Sequence, residues 1–162
     1  MKKLPLFALV VLLPFAAWAD KPDYNDDVKV TKLLRTSHDV AGQPLVYPKA
    51  SPAEVSMLLI EIPPGKKTNW HKHPVPIFVY VLEGTLKVYF ADGKKSTLTK
   101  GDAIAEAVNV LHNGVNETKE PVKLLVFVAG EKNTPFTVKA PVDKDGRPLG
   151  DFEHKIPMSQ DP

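Results

Sequence analysis

From residue 28 to residue 130 the chain repeats one pattern: a short run rich in Val, Ile, Leu, Phe and Tyr, then a turn signal, then another run. The runs are "VKVTKLL", "PLVYP", "EVSMLLIEI", "PIFVYVLEGTLKVYF", "KSTLT", "DAIAEA" and "VKLLVFVAG". They are divided by "PPG" at 63–65, "ADGK" at 91–94, "KGD" at 100–102 and "NETKEP" at 116–121. No stretch carries a sustained 3.6-residue apolar period, so helices are not expected between the strands. The Asp92-Gly93 pair between "LKVYF" and "KSTLT" predicts a tight hairpin, because such turns need positive φ. Strands that follow one another every ten to fifteen residues without helices predict an all-β sandwich or barrel.

The ends of the chain have a different character. Lys2 and Lys3, the apolar "LPLFALVVLLPFAA" and the small-residue "AWA" at 17–19 read as a cleavable leader over 1–19, with Asp20 as the first mature residue. The apolar stretch is shorter than the roughly 20 residues of a membrane-spanning helix, and Pro5 and Pro14 interrupt it. The expectation is therefore export, in a bacterial setting to the periplasm, with no membrane attachment after cleavage. Residues 20–27 form a polar lead, 28–130 the barrel, and 131–162 a proline-rich tail that runs along the barrel or crosses to a partner subunit. Loss of Lys2 and Lys3 takes the formal net charge from +2 to zero, and no clustered basic face favours nucleic acid. The absence of cysteine excludes disulfides, thiolate metal sites and a thiol nucleophile.

Chemistry concentrates in the histidines. There are five: His38, His71, His73, His112 and His154. In extended backbone His71 and His73 share a face while Lys72 points away. His112, some forty residues on in "EAVNVLHNGVN", offers a third imidazole from a distant strand. Neutral imidazole suits first-row divalent metals. Taken alone, His-x-His also fits an exposed strand edge, and His112 alone fits a core histidine with a satisfied ring.

The spacing around these residues resembles the two motifs of the cupin family. In the first, Gly65, five residues, His71-Lys72-His73, three residues, Ile77, six residues and Gly84 follow the family's Gly, His-x-His, Glu, Gly order. In the second, Gly101, five residues, Ala107-Val108-Asn109, two residues, His112, three residues and Asn116 follow its Gly, Pro-x-Gly, His, Asn order. Sixteen residues separate the two, and the resemblance spans about residues 55–129. It implies a double-stranded β-helix, or jelly-roll barrel, with a metal held inside by His71, His73 and His112. Subunit pairing through the sheets, giving a homodimer, is implied in the same way.

Three positions depart from the family pattern. Ala107 and Asn109 replace Pro and Gly in a turn that Asn still permits, since Asn tolerates left-handed backbone. Ile77 replaces the glutamate ligand, and an aliphatic side chain cannot coordinate. Tyr80 has the wrong strand parity to substitute, and Glu83 lies about 20 Å along the strand. Glu106 belongs to another strand whose register the sequence does not fix. The expected site is thus three histidines beside an apolar wall formed by Ile77. It would hold one divalent transition metal (Fe, Zn, Ni, Cu or Co) with an open position for a small anionic or chelating ligand. Glu106 and Asn109 are candidates for moving protons, and Trp70 and Asn113 join Ile77 as candidate pocket residues. Phe78 and Tyr80 face away from the site, and His38 and His154 are expected in solvent. Three functions fit: a metal-dependent oxidoreductase of the dioxygenase kind, preferred over a hydrolase; a non-catalytic binding protein; or a metal-free barrel kept for subunit contacts.

Overall fold

A computed structural model describes residues 29–47, 49 and 51–149. The expected leader at 1–19, the polar lead at 20–27 and His154 lie outside the described residues. The chain divides into two units, 1–31 and 32–162. The described residues of the first, 29–31, form no strand; the account below concerns the second.

Nine strands and no helix make up the described residues. They are β1 (Ala53–Ile62), β2 (His71–Lys72), β3 (Ile77–Glu83), β4 (Thr85–Phe90), β5 (Lys95–Thr99), β6 (Ala103–Ala105), β7 (His112–Val115), β8 (Val122–Glu131) and β9 (Val138–Lys139). Two antiparallel sheets result, one ordered β1-β8-β3-β6 and the other β5-β4-β7-β2-β9. Strand alternation sends Ile77, Val79, Val81, Leu124, Val126 and Val128 from the first sheet against Leu86, Val88, Phe90 and Leu98 from the second, and all are buried. This is the double-sheet barrel that the resemblance implied.

The run "PIFVYVLEGTLKVYF" is not one strand. It breaks at Gly84, whose φ is 80°, and there the chain passes from the first sheet to the second. A Cβ on Gly84 would sit 2.5 Å from the Pro121 carbonyl oxygen, so the crossing admits no side chain. At the expected hairpin, Gly93 has φ 86° and Phe90 and Lys94 close the turn between β4 and β5.

Two expected strands are missing. "VKVTKLL", at its described residues 29–34, and "PLVYP" form no ladder; the latter contributes only the isolated His38–Pro44 bridge. Both were chosen for β-rich composition, yet composition cannot supply a partner strand. Val46 and Tyr47 are correspondingly exposed. Conversely, β9 lies within the proline-rich tail and adds an edge strand beside β2. In this stretch the tail runs along its own barrel.

Candidate metal centre

The site lies between the sheets at one end of the barrel. His71 opens β2 and pairs with His112, the first residue of β7, so these two imidazoles are cross-strand neighbours. His73 follows β2 and is joined to Val108 by an isolated parallel bridge. The three rings are buried, with centroids 4.4–5.0 Å apart. One nitrogen from each can be chosen so that all three lie within 4.8 Å of one another.

Each ring is oriented through its Nδ1. That of His71 donates to the Asn69 carbonyl at 2.7 Å, that of His73 to the Phe136 carbonyl at 2.8 Å, and that of His112 to the Val110 carbonyl at 2.9 Å. Backbone carbonyls only accept, so they fix the proton on Nδ1 and leave Nε2 of each ring to face the centre. Asn69 reaches its position with φ 64°, a backbone that Asn tolerates. His112 Nε2 is buried without a hydrogen-bond partner. A buried nitrogen lone pair left unpaired is costly in a folded protein, and a bound cation removes that cost. The residues therefore fit a first-row divalent metal.

Ile77 points inward, as its parity required, and it is buried in the wall of the site. A carboxylate is nevertheless present. Glu106, directly after β6, places Oε2 2.8 Å from His73 Nε2 and 4.0 Å from His112 Nε2. The reading of an apolar wall without a nearby acid is corrected here: Ile77 is the wall, and the acid arrives from the adjacent strand.

The charges of these groups are strongly coupled. Burial, with the neighbouring His112 ring, holds His71 down to about 4, and burial likewise keeps His112 below the usual imidazole range. Burial would lower His73 too, but the hydrogen bond and charge of Glu106 outweigh it and the net shift is upward. For Glu106 burial alone would favour the neutral acid; the bond to His73 and the nearby imidazoles overcome it and hold the carboxyl below its ordinary value. Burial thus disfavours charge on His71 and His112, whereas Glu106 favours it on His73.

The histidines line one side of a cavity of about 210 Å³. Its other walls are aliphatic, from Ile60, Ile77, Val79, Leu86, Val88, Leu124 and Val126, and Phe136, Thr137 and Lys139 of the tail close part of it. Besides the histidines, Glu106 and Lys139 are its ionisable groups. A small molecule with one polar or anionic end and an apolar body suits such a space.

Three sequence candidates fall elsewhere. Trp70 lines a neighbouring cavity with Lys67, Asn69 and Lys139, not the histidine cavity. Asn113 is one residue from His112 and so takes the opposite face of β7, where it is buried with Oδ1 unpartnered. Asn109 is an exposed turn residue with φ 60° whose backbone N–H donates to the His73 carbonyl at 2.7 Å. It supports the site through its backbone, and the turn expected at Ala107–Asn109 is kept. His38 is exposed, as expected.

Sequence reading missed the tail. Phe136 supplies the acceptor that orients His73, and the Thr137 hydroxyl lies 3.3 Å from the same Nδ1. A backbone carbonyl has no residue signature, so no motif would have found it. Thr68, whose Oγ1 accepts from the Gly114 N–H at 2.9 Å beside the pocket, was missed for a similar reason.

Residues 58–128 match the model of the cupin domain. Over these residues, which lie within the barrel, the chain is similar to a cupin domain. Among solved structures it is similar to the polyketide cyclase RemF from Streptomyces resistomycificus, at 22% identity over 57% of this chain and 65% of that one, with a TM-score of 0.49. A cupin domain from Bordetella pertussis Tohama I gives 26% identity over 46% and 80%, with a TM-score of 0.42. The DMSP lyase DddQ from Ruegeria pomeroyi DSS-3 gives 20% identity over 52% and 42%, with a TM-score of 0.47. The chain thus spans less than two thirds of the length of the cyclase and of the lyase. No curated protein matches it.

Proposed function

We propose that this chain holds one divalent transition metal at His71, His73 and His112 and presents it to a small molecule bearing an anionic or chelating group. The observation that carries this reading is the set of three inward Nε2 atoms, one of them buried and unpartnered, at the end of a mostly aliphatic cavity. When bound, such an ion supplies a Lewis-acid centre and, if redox-active, a place for dioxygen chemistry. The protein supplies the rest: Nδ1–H bonds to backbone carbonyls hold the imidazoles, the aliphatic walls exclude water, and Lys139 on the wall attracts an anionic group. Oxidation of a bound chelate is the reaction class we assign. The second reading, a non-catalytic binding role, draws its support from the scarcity of proton-moving groups in the cavity, where only Glu106 and Lys139 accompany the histidines.

Element analysis of purified protein tests the site. Near-stoichiometric transition metal is expected in the wild type, with His71→Ala, His73→Ala and His112→Ala each losing it; unchanged metal in all three would remove the assignment. Oxygen uptake with small diketones, catechols and thiols then separates the oxidase reading from simple binding. The same proposal has the chain exported after cleavage at Ala19, which N-terminal sequencing of the protein from a periplasmic fraction checks. It also has the chain pairing with a second copy through the outer face of the β1-β8-β3-β6 sheet.

A further inference from the structure

The family pattern places its carboxylate ligand where this chain has Ile77, and the structure brings a different carboxylate to the same rung of the sheet. Strands β3 and β6 pair Tyr80 with Ala103, Val79 with Ile104 and Phe78 with Ala105. The next rung in that register sets Ile77 opposite Glu106, and the Glu106 N–H donates to the Ile77 carbonyl at 2.8 Å. Side chains opposite each other on one face of an antiparallel pair have Cβ atoms only about 5 Å apart. Glu106 therefore enters the site beside Ile77, from the strand next door.

We propose that Glu106 is a carboxylate ligand of the metal centre, moved one strand across from the family's position. This deepens the three-histidine reading and rests on it. Two atoms bound to one ion at roughly 2.0–2.1 Å are about 3 Å apart at a right angle and no more than about 4.2 Å when opposed. Glu106 Oε2 lies at 2.8 Å and 4.0 Å from the Nε2 atoms of His73 and His112, within that span; it stands outside the group that the three histidines form within 4.8 Å, so joining His71 on one ion takes a turn of its side chain toward that ring. Its carboxylate is also largely buried, with a side-chain exposure of 17%, so it has little water to satisfy it. An ion between these atoms replaces the proton that otherwise joins Glu106 to His73 and gives the unpartnered His112 Nε2 a partner. Ile77 can then be aliphatic without loss of the anionic ligand. The formal charge of a divalent centre with this set falls from +2 to +1, so the site takes up anions less strongly than three imidazoles alone would.

Cobalt(II) is a suitable probe, because its visible absorption reports the ligand set without any turnover. In the full chain, Glu106→Gln is nearly isosteric and is expected to weaken Co(II) binding about 10- to 100-fold in chelator competition and to change the visible spectrum. Returning the acid to the other side of the rung, in the double variant Glu106→Gln with Ile77→Glu, is expected to recover most of the affinity. Unchanged affinity and spectrum in Glu106→Gln, with metal still lost in His73→Ala, would overturn the proposal and leave the three-histidine site standing. Retention of Co(II) in the histidine variants would instead remove the site itself. Should the double variant fail to fold, the affinity and spectrum of Glu106→Gln decide alone, with its circular dichroism as the folding control.

Discussion

At the scale of single residues, one buried polar side chain holds the barrel's far end together. Asn116, the last residue of the second motif, is 0% exposed. Its Nδ2 donates to the Ile62 carbonyl at 2.9 Å and to the Glu120 carbonyl at 2.7 Å, and its Oδ1 accepts from the Thr118 N–H and hydroxyl. Every hydrogen-bonding position of this amide that the fold can reach is used, tying β1 to the loop before β8. Asn116→Ala would strand the buried Ile62 carbonyl, while the Glu120 carbonyl keeps the Thr118 hydroxyl, so a loss of about 2 kcal/mol is expected in urea unfolding. A change below about 1 kcal/mol would mean that water reaches those groups. Position 116 was legible from motif spacing; that its role is structural, unlike that of His112 four residues earlier, was not. Spacing marks a position, and only the neighbours say whether its polar atoms are spent within the fold or left facing a cavity.

At the scale of elements, the two-residue strand β9 matters more than its length implies. It pairs with β2 at His71–Lys139 and Lys72–Val138, and the Ala140 N–H donates to the Trp70 carbonyl. The preceding residues carry the Phe136 carbonyl to His73. The element thus orients a candidate ligand while lying beyond the matched residues 58–128. A chain ended after Thr134 is expected to keep its β-sheet circular dichroism, because the buried core residues all precede that point. Its metal affinity should drop about 10- to 100-fold, as for other losses of a partner behind a metal-binding histidine. Equal affinity in the truncated chain would show that His73 needs no such support. The strand periodicity of β1, β3, β4 and β8 was readable because each buries one face against the opposite sheet. Strands β2, β7 and β9 are too short for any period, and their pairing is decided by partners distant in sequence.

At the scale of the whole molecule, the first sheet has two unlike faces. Leu58, Ile60 and Ile62 of β1 turn toward the core, whereas Val55, Met57 and Leu59 are 65%, 67% and 69% exposed. Phe127 on the neighbouring β8 is exposed on the same sheet. β1 is an edge strand of that sheet, so a second copy could extend or cover it about a two-fold axis. Light scattering of the wild type is expected to give a dimer, and Met57→Lys with Leu59→Lys a monomer whose metal content is unchanged, since neither residue lines the cavity. A monomeric wild type at tens of micromolar would remove the pairing proposal.

What the amino-acid order determined by itself is local: alternation chose the buried face of each long strand, Asp92-Gly93 set a hairpin, and the spacing of His71, His73 and His112 marked three imidazoles for one site. Whether an acid joins them was settled elsewhere. Ile77 and Glu106 are twenty-nine residues apart in the chain, and they meet only because β3 and β6 pair in one register and not in another. That choice depends on burial summed over both sheets, since a slip of one residue would turn Glu106 out of the cavity and a charge-neutralising partner away from His73.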